Sequence, residues 1–271
     1  MSKVRRGFID VPEGQIHYRT AGSGSGVPLV LLHGAPASSY VLAPMVAEFG
    51  KSRPTYALDA LGMGDSSPPA VDNPDTAVYA RAMLAALDGL GIKQFDLHGM
   101  LTGARVAIEL AVSQPERVRK LVLERVSFQT AEERDEWLKN FAPKVELDDL
   151  GTQFNFAWQF VRDEFSWFPW YKRTAQSSLN RTLLDASHLH YKVMEMLKGI
   201  TTYHLFVRQG LNYPSAERVP MIAVPTLATE DVAKRITGAV AKKHPPVIDC
   251  GMVTADDIRN NVAEINAFLD A

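Results

Sequence analysis

The segment DLHGMLTGARVAIEL, Asp96 to Leu110, sets Gly99 and Gly103 four residues apart between a strand-like run and a helix-like one. That spacing outlines the sharp strand-to-helix turn written G-x-S-x-G. Its glycines relieve a tight bend and its middle residue presents an attacking oxygen. Here the middle residue is Leu101, which has no nucleophilic atom. A hydroxyl attacks at neutral pH only when a base takes its proton and a carboxylate holds that base. The remaining titratable residues therefore decide what chemistry is left.

Seven histidines are available. His17 falls in a strand-like run and reads as exposed or at an edge. His98 precedes the turn glycine and is expected beneath it as a hydrogen-bonded core group. His188, His190 and His204 share the helically spaced stretch ASHLHYKVMEMLKGITTYHLFVRQ, so some face inward and others face water. His188, Tyr203 and His204 are candidates for a ligand surface. Arg162-Asp163 sits among Trp158, Trp167 and Trp170. An internal ion pair is the plain reading; an Arg among Trp158 and Trp167 could also clamp an anionic aromatic ligand. No metal constellation stands out: His188 and His190 at i, i+2 diverge on a helix, and no H-E-x-x-H occurs. No cofactor motif is recognised, since GSGSG (Gly22–Gly26) reads as a loop rather than a dinucleotide turn.

The elements that must carry these groups alternate. GFIDV and GQIHYRT read as strands joined by a Pro-Glu-Gly turn, and VPLVLL is a continuous apolar run of the kind a buried parallel strand needs. Further runs end at Asp59, His98, Glu124, near Ala228 and at Cys250. Helical patterns lie between them over Val41–Phe49, Thr76–Leu90, Gly103–Ser113, Asp231–Lys242 and Ala255–Leu269. This alternation predicts an α/β protein with a mostly parallel, eight-stranded sheet flanked by helices. It breaks between residues 130 and 220, a helical stretch holding nine aromatics in the eighteen residues from Phe154 to Tyr171. The expected organisation is a core of residues 1–129 and 221–271 with a helical cap, 130–220. The rings pack a small core of their own, and their number also favours lining a cavity below.

Composition narrows the partners. With 29 basic and 31 acidic residues the formal charge is −2, which favours neither nucleic acid nor an anionic membrane. No apolar run reaches the length of a membrane span. The opening MSKVRRGF has no apolar stretch behind it, so no signal peptide is expected, and one cysteine allows no disulfide framework. A cytoplasmic protein binding a small hydrophobic molecule is the expectation, with a homodimer allowed.

Three motifs in order, LLHGAP (Leu31–Pro36), LDALGMGDSS (Leu58–Ser67) and GMLTGARVAIELAVSQPERVRKLVL (Gly99–Leu123), resemble the α/β-hydrolase superfamily. The resemblance covers roughly residues 8–125 and 218–271. It implies a Ser, Cys or Asp at the elbow, an acid after a late strand and a His after the last one. Those positions fall here on Leu101, on Glu230 or Asp231, and on Met252. No His follows His244, so the Ser-His-acid mechanism is not available. The resemblance also implies an oxyanion hole from the backbone N–H groups of Ala35 and Thr102, which no side-chain change removes. His33 abuts that loop, as a structural group or a catalytic one. Arg125 falls nearest an alternative acid slot, where it could bind a carboxylate or an enolate-like oxygen, while Glu124 points the other way.

Together these residues imply a dry pocket floored by Leu101 and Met252 that takes a small carbonyl or phenol-type molecule. The expected activity is a non-covalent, cofactor-free reaction of lyase, isomerase, cyclase or oxygenase type. The alternatives are a non-catalytic binder and a hydrolase that uses water and an unrecognised base.

Overall fold

The computed structural model of the chain describes residues 3–180, 185–236, 241–243 and 255–271. Its strands are β1 (Arg5–Val11), β2 (Gly14–Ala21), β3 (Leu29–Leu32), β4 (Thr55–Leu58), β5 (Phe95–Met100), β6 (Val118–Glu124), β7 (Thr226–Ala228) and β8 (Ala241–Lys243). They form one eight-stranded sheet in the order β1-β2-β4-β3-β5-β6-β7-β8. β2 pairs antiparallel with β1 and β4, and every other pairing is parallel. The fold is therefore the α/β-hydrolase fold.

The helices are α1 (Ala43–Phe49), α2 (Thr76–Gly89), α3 (Thr102–Ser113), α4 (Ala131–Asn140), α5 (Thr152–Ser166), α6 (Ala186–Lys198), α7 (Tyr203–Asn212), α8 (Ser215–Arg218), α9 (Glu230–Ala233) and α10 (Ala255–Asp270). The run LVLL of β3 is buried throughout because both faces of the sheet are covered. Leu29 and Leu31 pack with α1 and α10 on one face, while Val30 and Leu32 pack with α2 and α3 on the other. The alternation hidden in that apolar run thus reappears as two cores.

Between β6 and β7 the described residues form helices, apart from one isolated bridge between Trp167 and Ser178. The expected helix over Asp231–Lys242 is not one element. α9 ends at Ala233, and Ala241–Lys243 is a strand beside β7. The open edge of β7 offers a ladder of hydrogen bonds there, and that pairing overrides a modest helical pattern. The run PPVIDC, expected to end a strand at Cys250, lies outside the described residues. No helix among them is long and apolar enough to cross a membrane.

Candidate functional site

The turn between β5 and α3 is made by one residue. Leu101 has φ 52° and ψ −119°, a conformation that a residue with a Cβ holds only at a cost of about 1–3 kcal/mol when its surroundings enforce it. The Leu101 N–H donates to the Glu124 carbonyl at 3.0 Å, and its carbonyl accepts from the Ala104 N–H at 3.2 Å. Arg105 Nη1 also donates to that carbonyl at 2.6 Å. The flanking glycines are steric necessities. A Cβ on Gly99 would come within 2.6 Å of the Ala107 Cβ, and one on Gly103 within 2.6 Å of the Leu32 carbonyl oxygen. At these two positions α3 approaches β3 and β5 too closely for any side chain.

The Leu101 side chain lies on the loop after β3. A Cβ on Gly34 would meet the Leu101 Cβ at 2.8 Å and its Cδ1 at 2.9 Å. The backbone N–H groups of Ala35 and Thr102, at the two positions where an oxyanion hole would need donors, give hydrogen bonds to no acceptor among the described residues. Leu101, Gly34 and Ala35 line a cavity of about 320 Å³ together with Met45, Met100, Glu164 of α5 and His188, Tyr191 and Lys192 of α6. Its lining is mainly apolar, as small-molecule sites are.

α6 is held over this cavity by contacts to the loops after β3 and β4. The Ser38 hydroxyl donates to the buried Glu195 carboxylate. Lys198 bridges Glu195 and Asp65, at 3.0 Å from each. Thr202 Oγ1 donates to the Gly62 carbonyl at 2.5 Å.

His33 is buried beside the elbow, and both of its ring nitrogens are engaged. Nδ1 lies 2.7 Å from the Gly34 carbonyl, while Nε2 accepts the Ala60 N–H at 3.0 Å. This pattern requires the neutral Nδ1–H tautomer, and burial pushes the pKa down. In this geometry His33 ties the loops after β3 and β4 together and has no lone pair to offer a substrate. Asp59, also buried, accepts from the Ser39 N–H at 2.6 Å and the Asp65 N–H at 3.0 Å, with His17 Nδ1 at 2.8 Å. Burial pushes the Asp59 carboxyl up, but the His17 hydrogen bond, the field of His33 and the two amides bring it down to about 2. His17 is therefore buried rather than exposed, because the β1–β2 hairpin folds back over the loop that carries Asp59. His17, Asp59 and Asp65 are also the one group of possible metal donors among the described residues. A cation there would displace the hydrogen bonds that now fix Asp59.

The other candidates divide sharply. His188 lines the cavity. Tyr203 is fully buried away from it, its hydroxyl on the Pro143 carbonyl at 2.8 Å. His204 is buried in α7, with burial, Arg208 and Lys144 lowering its pKa. Trp158 is 44% exposed to solvent. Trp167 ends α5 and pairs with Ser178. Arg162 pairs with buried Asp163 at 3.1 Å, and Arg173 pairs with the same carboxylate. Phe141, Phe156, Phe160, Trp170 and Tyr203 form one packed set of rings. The ring-rich stretch thus builds the core of the helical segment, and no tryptophan lines the elbow cavity.

Arg125 has φ 56°, and its carbonyl accepts from Arg105 Nη1 at 3.4 Å. Glu124 is buried, with its Oε1 3.2 Å from His98 Nε2. That approach is off the line of a hydrogen bond, so His98 is a core group without the expected partner. Glu230 sits in an exposed ion pair with Lys234 at 3.0 Å. Met252 lies outside the described residues.

Several residues that shape the site escape a reading by motif. Tyr40 and Tyr191 both line the cavity and pack against each other with ring centroids 5.8 Å apart. Arg105 is buried in α3 and spans the carbonyls of Leu101, Arg125 and Ser127 and the Ser127 hydroxyl, with Nη2 to Ser127 Oγ at 2.7 Å. Desolvation lowers its pKa to about 10, so it remains a cation at neutral pH. In the sequence Arg105 and Glu109 are the two charged residues of an otherwise mainly apolar helical stretch.

This chain belongs to the alpha/beta hydrolase fold family, whose model matches residues 27–191. It is 37% identical over 153 residues to the 2-hydroxymuconate semialdehyde hydrolase of Pseudomonas sp. (strain CF600), a match covering 53% of each protein. It is 33% identical over 127 residues to the 2-hydroxy-6-oxononadienedioate/2-hydroxy-6-oxononatrienedioate hydrolase of Paraburkholderia xenovorans (strain LB400), covering 43% of each. The chain therefore spans about half the length of the curated relatives it matches. Epoxide hydrolase A from Mycobacterium thermoresistibile superposes with a TM-score of 0.74 at 18% identity, covering 100% of this chain and 99% of that one. At that identity the likeness concerns the fold alone.

Proposed function

We propose that the cavity between the elbow and α6 binds a small, mainly apolar molecule carrying a carbonyl or phenol-type oxygen. The chain acts on it without a covalent enzyme intermediate and without a cofactor. The observation that carries this reading is the combination at the elbow: Leu101 in the strained turn, with the unpaired amides of Ala35 and Thr102 beside an apolar wall. Two fixed N–H donors stabilise a developing oxyanion whatever attacks the carbon. Among the reaction types, hydrolysis by water stands ahead of a lyase, isomerase, cyclase or oxygenase reaction, because the relatives named above are hydrolases. Residues 130–220 then serve as a cap on a core of 1–129 and 221–271, and a cytoplasmic location belongs to the same reading.

A second reading is a binder without turnover. The contact between Leu101 and Gly34 favours it, since that side chain occupies space a carbonyl would approach. Intact-mass analysis during turnover of p-nitrophenyl butyrate separates covalent from non-covalent action. A populated acyl-enzyme would refute the proposal, and ester cleavage with no adduct is the expected result.

A further inference from the structure

We propose that His188, oriented by Asp185, is the general base that activates water in the elbow cavity; this inference rests on the hydrolytic reading above. The two residues form a dyad at the start of α6. His188 Nδ1 lies 2.6 Å from Asp185 Oδ2, and among the described residues Nε2 has no hydrogen-bond partner. Asp185 is itself fixed, its Oδ1 accepting from the Ser187 N–H at 2.9 Å, the Ser187 hydroxyl at 2.6 Å and the His188 N–H at 3.1 Å. A carboxylate on Nδ1 sets the tautomer with a lone pair on Nε2, which is the arrangement a base requires. The same imidazole lines the cavity that contains Leu101, Gly34 and Ala35.

The other titratable groups facing this space are Glu164, Lys192, Tyr40 and Tyr191. Glu164 and Lys192 lie 3.9 Å apart as an ion pair, and the tyrosines face each other. His188 is also open to water, so its reactant is at hand. α6 is anchored at its C-terminal end through Glu195 and Lys198, and the Tyr191 ring, three residues after His188, lies against Tyr40 of the loop after β3.

For an ester the step balances as follows. His188 Nε2 takes a proton from water as the water oxygen forms a bond to the carbonyl carbon. The carbonyl π pair moves to oxygen, where the Ala35 and Thr102 amides receive it. Collapse of that oxyanion breaks the bond to the leaving alkoxide, and the imidazolium returns the proton to it. One water is consumed, an acid and an alcohol are released, and no residue is acylated.

Asp185 also caps α6, so the test must separate a cap from a catalytic dyad. Asn caps helices about as well as Asp, hence Asp185→Asn keeps the helix while removing the charge that holds the imidazolium. The full chain and its His188→Gln, Asp185→Asn and His190→Gln variants would be assayed with p-nitrophenyl butyrate between about pH 5 and 9, since an essential base leaves a limb in the pH profile. Binding of the non-hydrolysable ketone 1-(4-nitrophenyl)pentan-2-one would be measured in parallel by calorimetry.

His188→Gln is expected to lower kcat by about 10²–10⁴-fold, the usual contribution of a general base. It should abolish the acid limb of the pH profile and change ketone affinity far less than kcat. Asp185→Asn should give a smaller loss, and exposed His190→Gln none. Wild-type kcat and pH profile in His188→Gln would overturn the assignment. So would ketone binding by the wild type with no ester turnover, although the cavity reading would survive. Absence of both binding and turnover would remove the cavity reading, and the dyad with it.

Discussion

The contact between Leu101 and Gly34 gives a quantitative test of where the elbow side chain sits. A methyl added by Gly34→Ala would lie 2.8 Å from the Leu101 Cβ and 2.9 Å from its Cδ1, both inside normal contact distance. Gly34 does not hold a left-handed φ, so Ala there adds no backbone strain. The cost is overpacking, about 1–3 kcal/mol. Leu101→Gly removes both clashing atoms. On its own it relieves about 1–3 kcal/mol of strain at φ 52° and forfeits part of the roughly 1.5–3 kcal/mol of a fully buried Leu. Its net effect is therefore small. In the Leu101→Gly background the Gly34→Ala change should cost little, which makes the interaction energy from the double-mutant cycle about 1–2.5 kcal/mol. Urea unfolding of the four proteins measures it. Equal costs of Gly34→Ala in both backgrounds would mean that the Leu101 side chain does not rest on the loop after β3.

Other outcomes follow from the same geometry. Arg105→Met should destabilise the protein by about 1.5–3 kcal/mol, because the part-buried carbonyls of Leu101, Arg125 and Ser127 lose a charged donor; a change under half that in urea unfolding would count against the staple. A fluorophosphonate probe should leave no adduct, since Leu101 has no oxygen, Ser66 Oγ donates to the Asp59 carbonyl and Ser67 Oγ accepts the Gln15 N–H; a stoichiometric adduct by mass analysis at Ser66, Ser67 or Thr102 would reopen Ser chemistry. Acid should destabilise the fold in two windows. Asp59, at about 2 when folded against roughly 3.9 unfolded, adds about 2 kcal/mol above pH 4 that is lost as pH falls toward 2. His33, depressed by burial, adds stability above its unfolded pKa of about 6.5 that is lost as pH falls toward the folded value. Asp59→Asn should flatten the lower window in pH-resolved unfolding while the upper one persists, since the lost carboxylate had been raising the His33 pKa.

Much of the fold was legible because its signals are local and mutually consistent. LVLL and VRKLVLE read as strands covered on both faces, and the glycines at 99 and 103 mark a close approach of α3 to the sheet. The short edge strand at Ala241–Lys243 was not legible, since strand pairing rather than propensity forms it. The site was harder to read. Counting rings from Phe154 to Tyr171 cannot tell whether they face a ligand or one another, and here they face one another. His17 looked exposed because period-two patterning ignores the hairpin that buries it. The Asp185–His188 pair was readable in principle as an i, i+3 contact, but its relation to Gly34 and Leu101 depends on how α6 docks through Glu195 and Lys198.

The central claim is that Leu101 forms part of a ligand surface in a preserved elbow. Calorimetric titration of the wild type and Leu101→Ser with 1-(4-nitrophenyl)pentan-2-one tests it directly, with thermal unfolding of both proteins as the control. Loss of a buried Leu contact is worth about 1.5–3 kcal/mol, or roughly one to two decades in affinity. The expected result is binding by the wild type that weakens by that amount in Leu101→Ser, with little change in Tm. Equal affinity in the two proteins, or no binding by the wild type, would contradict it.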